Sequence, residues 1–258
     1  MKNSLVLTAA VAIAAIAATV FAAQGTSSPY TDATGDISSN ISGGNPGGGT
    51  LDITGMEITE TVSDLIFKLT VNGDVGAVDW GNFMVGIATY DPLGTASGNA
   101  WGRPINLQWS PDGAPFTGGM NYWLGGWVDG GGGGQVWSYD GAFWNGPNNP
   151  AAFSLTPGAT SDIQWTVAKS VLNLNPGDSF SFDAYSSGRD GNPGAIDALA
   201  NPFVTVNDWG ESYTSRPLAF GGGGLNTYTL VPEPSTVAMA SAGVLGGGLM
   251  LRRRKRRA

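Results

Sequence analysis

The chain has no cysteine and no histidine. Without cysteine there is no disulfide and no thiolate metal site, so the fold must be held by packing alone. Without histidine, every scheme that needs an imidazole base is excluded, Ser-His-Asp triads included, along with the usual zinc and copper sites. Charge is scarce, at 12% of residues, and unevenly placed. Of the 12 basic residues, six stand at 252–257 and another is Lys2. Between residues 25 and 230, five basic residues face 19 acidic ones, a net charge of −14 where the whole chain carries −8. A body of that charge repels nucleic acid and anionic lipid, which argues against DNA or RNA as a partner. Neutral polar ligands, cations and basic partners remain. No stretch of the body keeps a helical period. What is abundant is glycine (41 residues) and proline (15), beside a hydrophobic fraction of 41%. That combination fits a turn-rich all-β fold with a buried core better than disorder.

Both ends read as addresses. Lys2 precedes an apolar run over residues 5–21, followed by the small residues Ala22 and Ala23. A positive start, an apolar stretch and a small-residue exit make a secretory signal peptide, residues 1–22, removed by signal peptidase after Ala22. At the other end Pro232, Glu233 and Pro234 precede an apolar, Gly- and Ala-rich segment over 236–251. The chain then closes on Arg252, Arg253, Arg254, Lys255, Arg256 and Arg257. Sixteen residues of helix reach about 24 Å, short of the ~30 Å hydrocarbon core, so this transmembrane helix is a marginal span. The basic block holds the C-terminus on the cytoplasmic side and leaves the body outside.

The order Pro-Glu-Pro, short apolar helix, Arg-rich terminus closely resembles the PEP-CTERM sorting signal, a tail also catalogued as an ice-binding protein C-terminal domain. That second label carries no ice-binding activity. The resemblance implies recognition near Pro232-Glu233-Pro234 by an exosortase in a Gram-negative-type bacterium. It also implies a transient inner-membrane anchor, then release to the cell surface or extracellular matrix, often beside exopolysaccharide.

Within the body, residues 23–50 read as a flexible Gly/Ser-rich arm. From residue 51 the period becomes two. Leu65, Phe67, Leu69 and Val71 alternate with Ile66, Lys68, Thr70 and Asn72, and the same alternation recurs at 83–88, 163–168 and 180–185. Such runs predict strands with one face on a core and one nearer solvent. Turn signals separate them, among them Asn72-Gly73-Asp74 and Asn175-Pro176-Gly177-Asp178. Residues 195–201 are the one stretch suggesting a helical turn. The expected architecture over 51–230 is therefore a single antiparallel, jelly-roll-like β-sandwich. The segments Asp32 to Asp36, Leu51-Asp52-Ile53-Thr54 and 64–71 resemble the opening of the DOMON-like, family-nine carbohydrate-binding-module sandwiches. The run 163–187 is similar to their closing hairpin.

Three candidate sites follow. Six of nine tryptophans lie between Trp101 and Trp144. On a strand, Trp123 and Trp127 share a face with Gly125 between them, an arrangement that can stack sugar rings. The competing expectation, favoured by the frequency of large aromatics in sandwich cores, is that at least one of the two rings is buried. Asp190, Asn192 and Asp197 offer oxygen ligands on Gly-rich loops of the kind that suit Ca²⁺. Their spacing matches no calcium loop, which favours solvated Asx turns and no cofactor. A carboxylate pair at glycosidase separation is available to any chain this acidic. The expected function is a non-catalytic exported surface or matrix protein whose sandwich binds polysaccharide. The alternatives are a purely structural envelope component and, third, a carboxylate-based glycan-active enzyme.

Overall fold

The structure is a computed structural model that describes residues 23–24, 28–90, 94–109, 118–150, 152–189, 191–217 and 224–232. The expected signal peptide, Glu233, Pro234 and the apolar and basic segments of the tail lie outside the described residues, as does Asp190. Among the described residues no helix is long and apolar enough to cross a membrane.

The chain runs through β1 (Ala23–Gln24), β2 (Tyr30–Thr31), β3 (Ile53–Glu60), β4 (Asp64–Val71), β5 (Asn82–Thr89), β6 (Ile105–Leu107), β7 (Tyr122–Trp127) and β8 (Gly133–Tyr139). It continues through β9 (Trp144–Asn148), β10 (Ala152–Thr156), β11 (Ser161–Ala168), β12 (Ser179–Ser187), β13 (Asp197–Ala198), β14 (Tyr213–Ser215) and β15 (Asn226–Thr229). One antiparallel sheet has the order β1-β3-β4-β11-β10, with β2 also paired to β3. The second has the order β13-β12-β5-β7-β8-β9, with β15 also paired to β12. The fold is thus a mostly β, two-sheet antiparallel sandwich. A third, short ribbon is parallel and joins β6 to β14.

The alternating runs become the central strands. In β4 and β11, Phe67 lies opposite Trp165 and Leu69 opposite Ile163, all fully buried, while Ile66, Lys68, Gln164 and Thr166 on the other face are half-buried. From the second sheet, Phe180 and Phe182 meet this layer, with Phe180 6.1 Å from Phe67 and Phe182 edge-on to Tyr30 at 4.9 Å. The asparagine–proline turn forms as expected, with the Asp178 N–H donating to the Asn175 carbonyl and the Asn175 N–H to the Asp178 carboxylate.

Three expectations are corrected. Residues 28–50 are no flexible arm. Ile41 is fully buried, Ile37 nearly so, and β2 pairs with β3, because a chain this poor in other anchors gains by burying every large apolar side chain. The stretch 195–201 forms no helix, since Asp197 and Ala198 pair with β12 instead. The outer face of the second sheet is not near solvent either. Met84, Gly86, Asp183 and Tyr185 are all buried there. A Cβ on Gly86 would lie 3.6 Å from both Leu107 and the Met120 sulfur, so β6 and its flanking loop form a third layer over that face.

The two sheets align end to end. At one end Asp197 accepts the Ile53 N–H at 2.7 Å, and Ser186 donates to the Leu51 carbonyl. At the other end Glu60, 4% exposed, accepts the Tyr228 hydroxyl at 2.9 Å and the Val231 N–H at 2.8 Å, and pairs with Lys169 at 2.8 Å. Ala23 is paired with Glu60 as well. Both termini of the domain therefore leave from the Glu60 end.

Candidate functional site

The third layer stops short of the far end, where β5 begins, β7 ends and β8 begins. Asn82, Trp127 and Gly133 stand side by side there. Two adjoining hollows open at this place. One, of about 510 Å³, is lined by Asn82, Trp101, Arg103, Trp127, Gln135 and Pro193, with Gly102. The other, of about 560 Å³, is lined by Asn82, Trp127, Asp129, Arg189 and Gly191. Both volumes lie within the range of small-ligand sites.

Glycines seat the two aromatic rings. A Cβ on Gly125 would fall 2.1 Å from the Trp101 ring, and one on Gly133 would fall 2.2 Å from the Trp127 ring. Only glycine lets an indole lie this close to the backbone. The indole N–H groups of Trp101 and Trp137 both donate to Gln135 Oε1, at 3.1 Å each. With its carbonyl engaged twice, Gln135 is oriented to turn its amide N–H₂ away from them. Arg103 stacks over the Trp101 ring at 5.5 Å and donates to Ser187 Oγ at 2.7 Å and the Gly188 carbonyl at 3.2 Å. Asn82 donates to the same carbonyl at 2.6 Å. Arg189 crosses to Asp79 at 3.0 Å, an exposed ion pair. Arg103 and Arg189 are two of only five basic residues between residues 25 and 230.

Trp123 and Trp127 do share a face, but they form no two-ring platform. Trp123 has no exposure at all. It stacks on Tyr185 at 6.0 Å and meets Trp101 edge-on at 6.2 Å. The gap that glycine leaves beside it is filled by Trp101, so the partner of Trp127 in the hollow is Trp101. Sequence reading missed Trp101, Asn82, Arg103 and Gln135. Their only sequence signal was the density of tryptophan, because what brings them together is a set of long-range bonds: Trp101 to Gln135, and Arg103 and Asn82 to the end of β12.

The expected oxygen-ligand set is also rearranged. Asn192 sits in the loop after β12, with its carbonyl accepting the Ser187 hydroxyl. Asp197 is grouped instead with Asp32 and Asp36, one carboxylate oxygen of each lying within 4.8 Å of the others. Asp197 is 1% exposed. Burial first, then the repulsion of Asp36 and Asp32, pushes its carboxyl well above the usual range. Burial raises Asp32 to about 8, with Asp36, Asp183 and Asp52 adding repulsion, and burial with Asp52 raises Asp36 to about 6. Asp183, fully buried under the third layer, is raised by burial to about 7, although Ser215 and the Ala184 and Ala200 N–H groups bond to it.

Residues 230–255 match the family model of the PEP-CTERM protein-sorting motif. The match covers the tail and begins one residue before the Val231 N–H is bonded to Glu60. The chain thus carries an exosortase sorting signal, which marks it for export and cell-surface anchoring. A search of curated proteins finds no match to the chain.

Proposed function

We propose that the protein is a non-catalytic surface or matrix component, whose sandwich binds polysaccharide in the hollow between Trp101 and Trp127. The observation that carries this reading is the pairing of two half-buried indoles, each seated on a glycine, with amide and guanidinium groups around them. Sugar rings present apolar C–H faces to aromatics and hydroxyls to amides, so this is a fitting surface for them. Arg103 and Arg189, in a body otherwise so poor in positive charge, favour a glycan carrying acidic sugars. Position supports the reading too. The hollow lies at the end of the sandwich opposite Glu60, from which the sorting tail leaves. A body tethered or processed at the tail presents the hollow outward. In this reading signal peptidase removes residues 1–22, and the apolar tail segment holds the chain in the inner membrane until an exosortase acts. The body then remains among exopolysaccharide.

A second reading, a structural component with no small ligand, draws on the commitment of Asn82, Arg103 and Gln135 to bonds within the protein. Affinity electrophoresis of the purified chain through neutral and acidic polysaccharides separates the two. Retardation by an acidic polysaccharide, lost in Trp127→Ala with the melting temperature nearly unchanged, is the expected result. The loss corresponds to about 1–2 kcal/mol for one stacked ring. Equal mobility of wild type and variant in every gel would leave the structural reading standing.

A further inference from the structure

At the far end of the sandwich, on the β13 side, we infer that Asp32, Asp36 and Asp197 form a calcium site that joins the N-terminal segment to both sheets. The acidic cluster alone does not make the case. The second observation is the state of its oxygens. Both carboxylate oxygens of Asp36 and Oδ2 of Asp32 are sealed from solvent and have no hydrogen-bond partner. Buried polar oxygens almost always have a partner, and leaving a carboxylate without one costs far more than leaving a hydroxyl. One carboxylate oxygen each of Asp32, Asp36 and Asp197 lies within 4.8 Å of the other two, and Asp197 is itself 1% exposed, so a cation there would displace the protons and satisfy the cluster.

The charges that act on Asp32, Asp36 and Asp197 are all other carboxylates, so no side-chain cation among the described residues serves that need. The geometry suits a hard cation with oxygen ligands. Ligand atoms within 4.8 Å of one another fit across an ion whose oxygens stand at about 2.3–2.6 Å, which is the calcium distance. Three carboxylates supply from three to six of the six to eight oxygens such an ion takes, with main-chain carbonyls or water completing the set.

The surroundings are built to hold these groups in place. Asp52 accepts the Gly35 N–H at 3.0 and 3.1 Å and the Asn72 amide at 3.1 Å, which fixes the turn that brings Asp36 back towards Asp32. The Asp32 N–H donates to the Thr54 carbonyl on one side of the cluster. On the other, Asp197 holds the Ile53 and Ala198 N–H groups. Each Asp197 oxygen keeps a second lone pair for a metal. An ion here ties residues 32–36 to β13 of the second sheet, which Asp197 already links to β3 of the first. It does the work of a disulfide in an exported chain that has no cysteine. Metal exchange in the millimolar calcium of an extracellular setting is consistent with an affinity of about 10⁻⁴–10⁻³ M.

The test is calcium titration of the purified full chain in detergent, after EDTA treatment, followed by calorimetry and thermal melting. One saturable calcium per chain and a rise in melting temperature are expected, with Asp36→Asn weakening the affinity at least about tenfold. Asp140→Asn removes a fully exposed carboxylate in the turn between β8 and β9, at the opposite edge of the second sheet, and leaves the affinity unchanged. Asp36 is half-buried beside the exposed residues 33–35, whereas Asp197 is 1% exposed and bonded to two main-chain N–H groups, so Asp36→Asn is the milder of the two variants for folding. No calcium uptake at about 10 mM, or equal weakening by Asp36→Asn and Asp140→Asn, overturns the site. Neither outcome touches the polysaccharide reading, which rests on other residues.

Discussion

β4 and β5 are both eight residues long, both central in their sheets and both apolar at alternate positions. Their fates differ. In β4 every second residue stays half-exposed, whereas in β5 everything after Asn82 is buried. The cause is the third layer. Leu107 and Met120 close over the outer face of the second sheet, while the outer face of the first stays in contact with water. The chemistry follows that difference. The buried Trp123, the Asp183–Ser215–Tyr185 hydrogen-bond chain and the Trp101–Trp127 hollow all belong to the covered sheet. The open sheet carries an ordinary solvated face. The proposed binding hollow sits where the third layer is laid over the second sheet and then stops.

Replacing Trp123 breaks the comparison most severely. If the outer face of the second sheet is true core, Trp123→Ala costs about 3–5 kcal/mol in chemical denaturation, enough to threaten folding. Gln164→Ala, on the outer face of the first sheet, changes stability by less than about 0.5 kcal/mol. Trp123→Phe is expected to be much milder than Trp123→Ala. The Trp123 indole N–H is buried without a partner, and phenylalanine removes that group while keeping most of the ring. A small loss in Trp123→Ala would mean that the third layer is loose.

The same contrast explains what was legible beforehand. β4 and β11 announce themselves because water on one face enforces alternation. In β5 and β12 the core face was equally plain in Phe83, Val85, Ile87, Phe180 and Phe182. Their other face was misread, because the sequence 84–88 carries no sign of what will cover it. The cover comes from β6 and β14, three residues each and far apart in the chain, too short for any period to show. Asp32 and Asp36 were hidden for a similar reason. They stand in a Gly- and Ser-rich stretch that looks unstructured until Ile37 and Ile41 are seen to be buried. The tail was the most legible part, since its signal is read linearly and needs no partner in space.

Asp183 sharpens the comparison at intermediate scale, because it is an acid kept under the covered face. Its folded value of about 7 lies above the ordinary unfolded value near 3.9, so the folded state holds the proton more tightly. Stability from this group is fully present below about pH 4 and is lost as pH rises towards 7, by up to about 1.4 kcal/mol per pH unit. Asp183→Asn keeps an oxygen for the Ala184 and Ala200 N–H groups and cannot ionise. Removing the Asp183 charge also lifts its repulsion from Asp32, so in EDTA urea melts between pH 4.5 and 7.5 should show a shallower decline for the variant on both counts. Parallel curves would mean that water reaches Asp183 and that the covering layer admits solvent.

The smallest effect is expected on the open sheet. Lys68 and Glu57 lie opposite each other across β4 and β3, with nitrogen and oxygen 2.7 Å apart and side chains 36% and 38% exposed. Both charges stay largely hydrated, so the attraction is offset by the ordering of two long side chains and weakened by salt. A double-mutant cycle with Lys68→Ala and Glu57→Ala should give about 0.2–1 kcal/mol at low salt and close to nothing near 1 M. Glu60 and Lys169 provide the counter-case. They are joined at 2.8 Å with side chains 4% and 13% exposed, and Glu60 is also bonded to Tyr228 and Val231. Removing the Lys169 charge there leaves a buried carboxylate short of a partner, and the loss should persist in salt because water and counterions are kept out. If the Lys68 pair proves equally salt-resistant, then its face is shielded too, and the two sheets differ less than their burial implies.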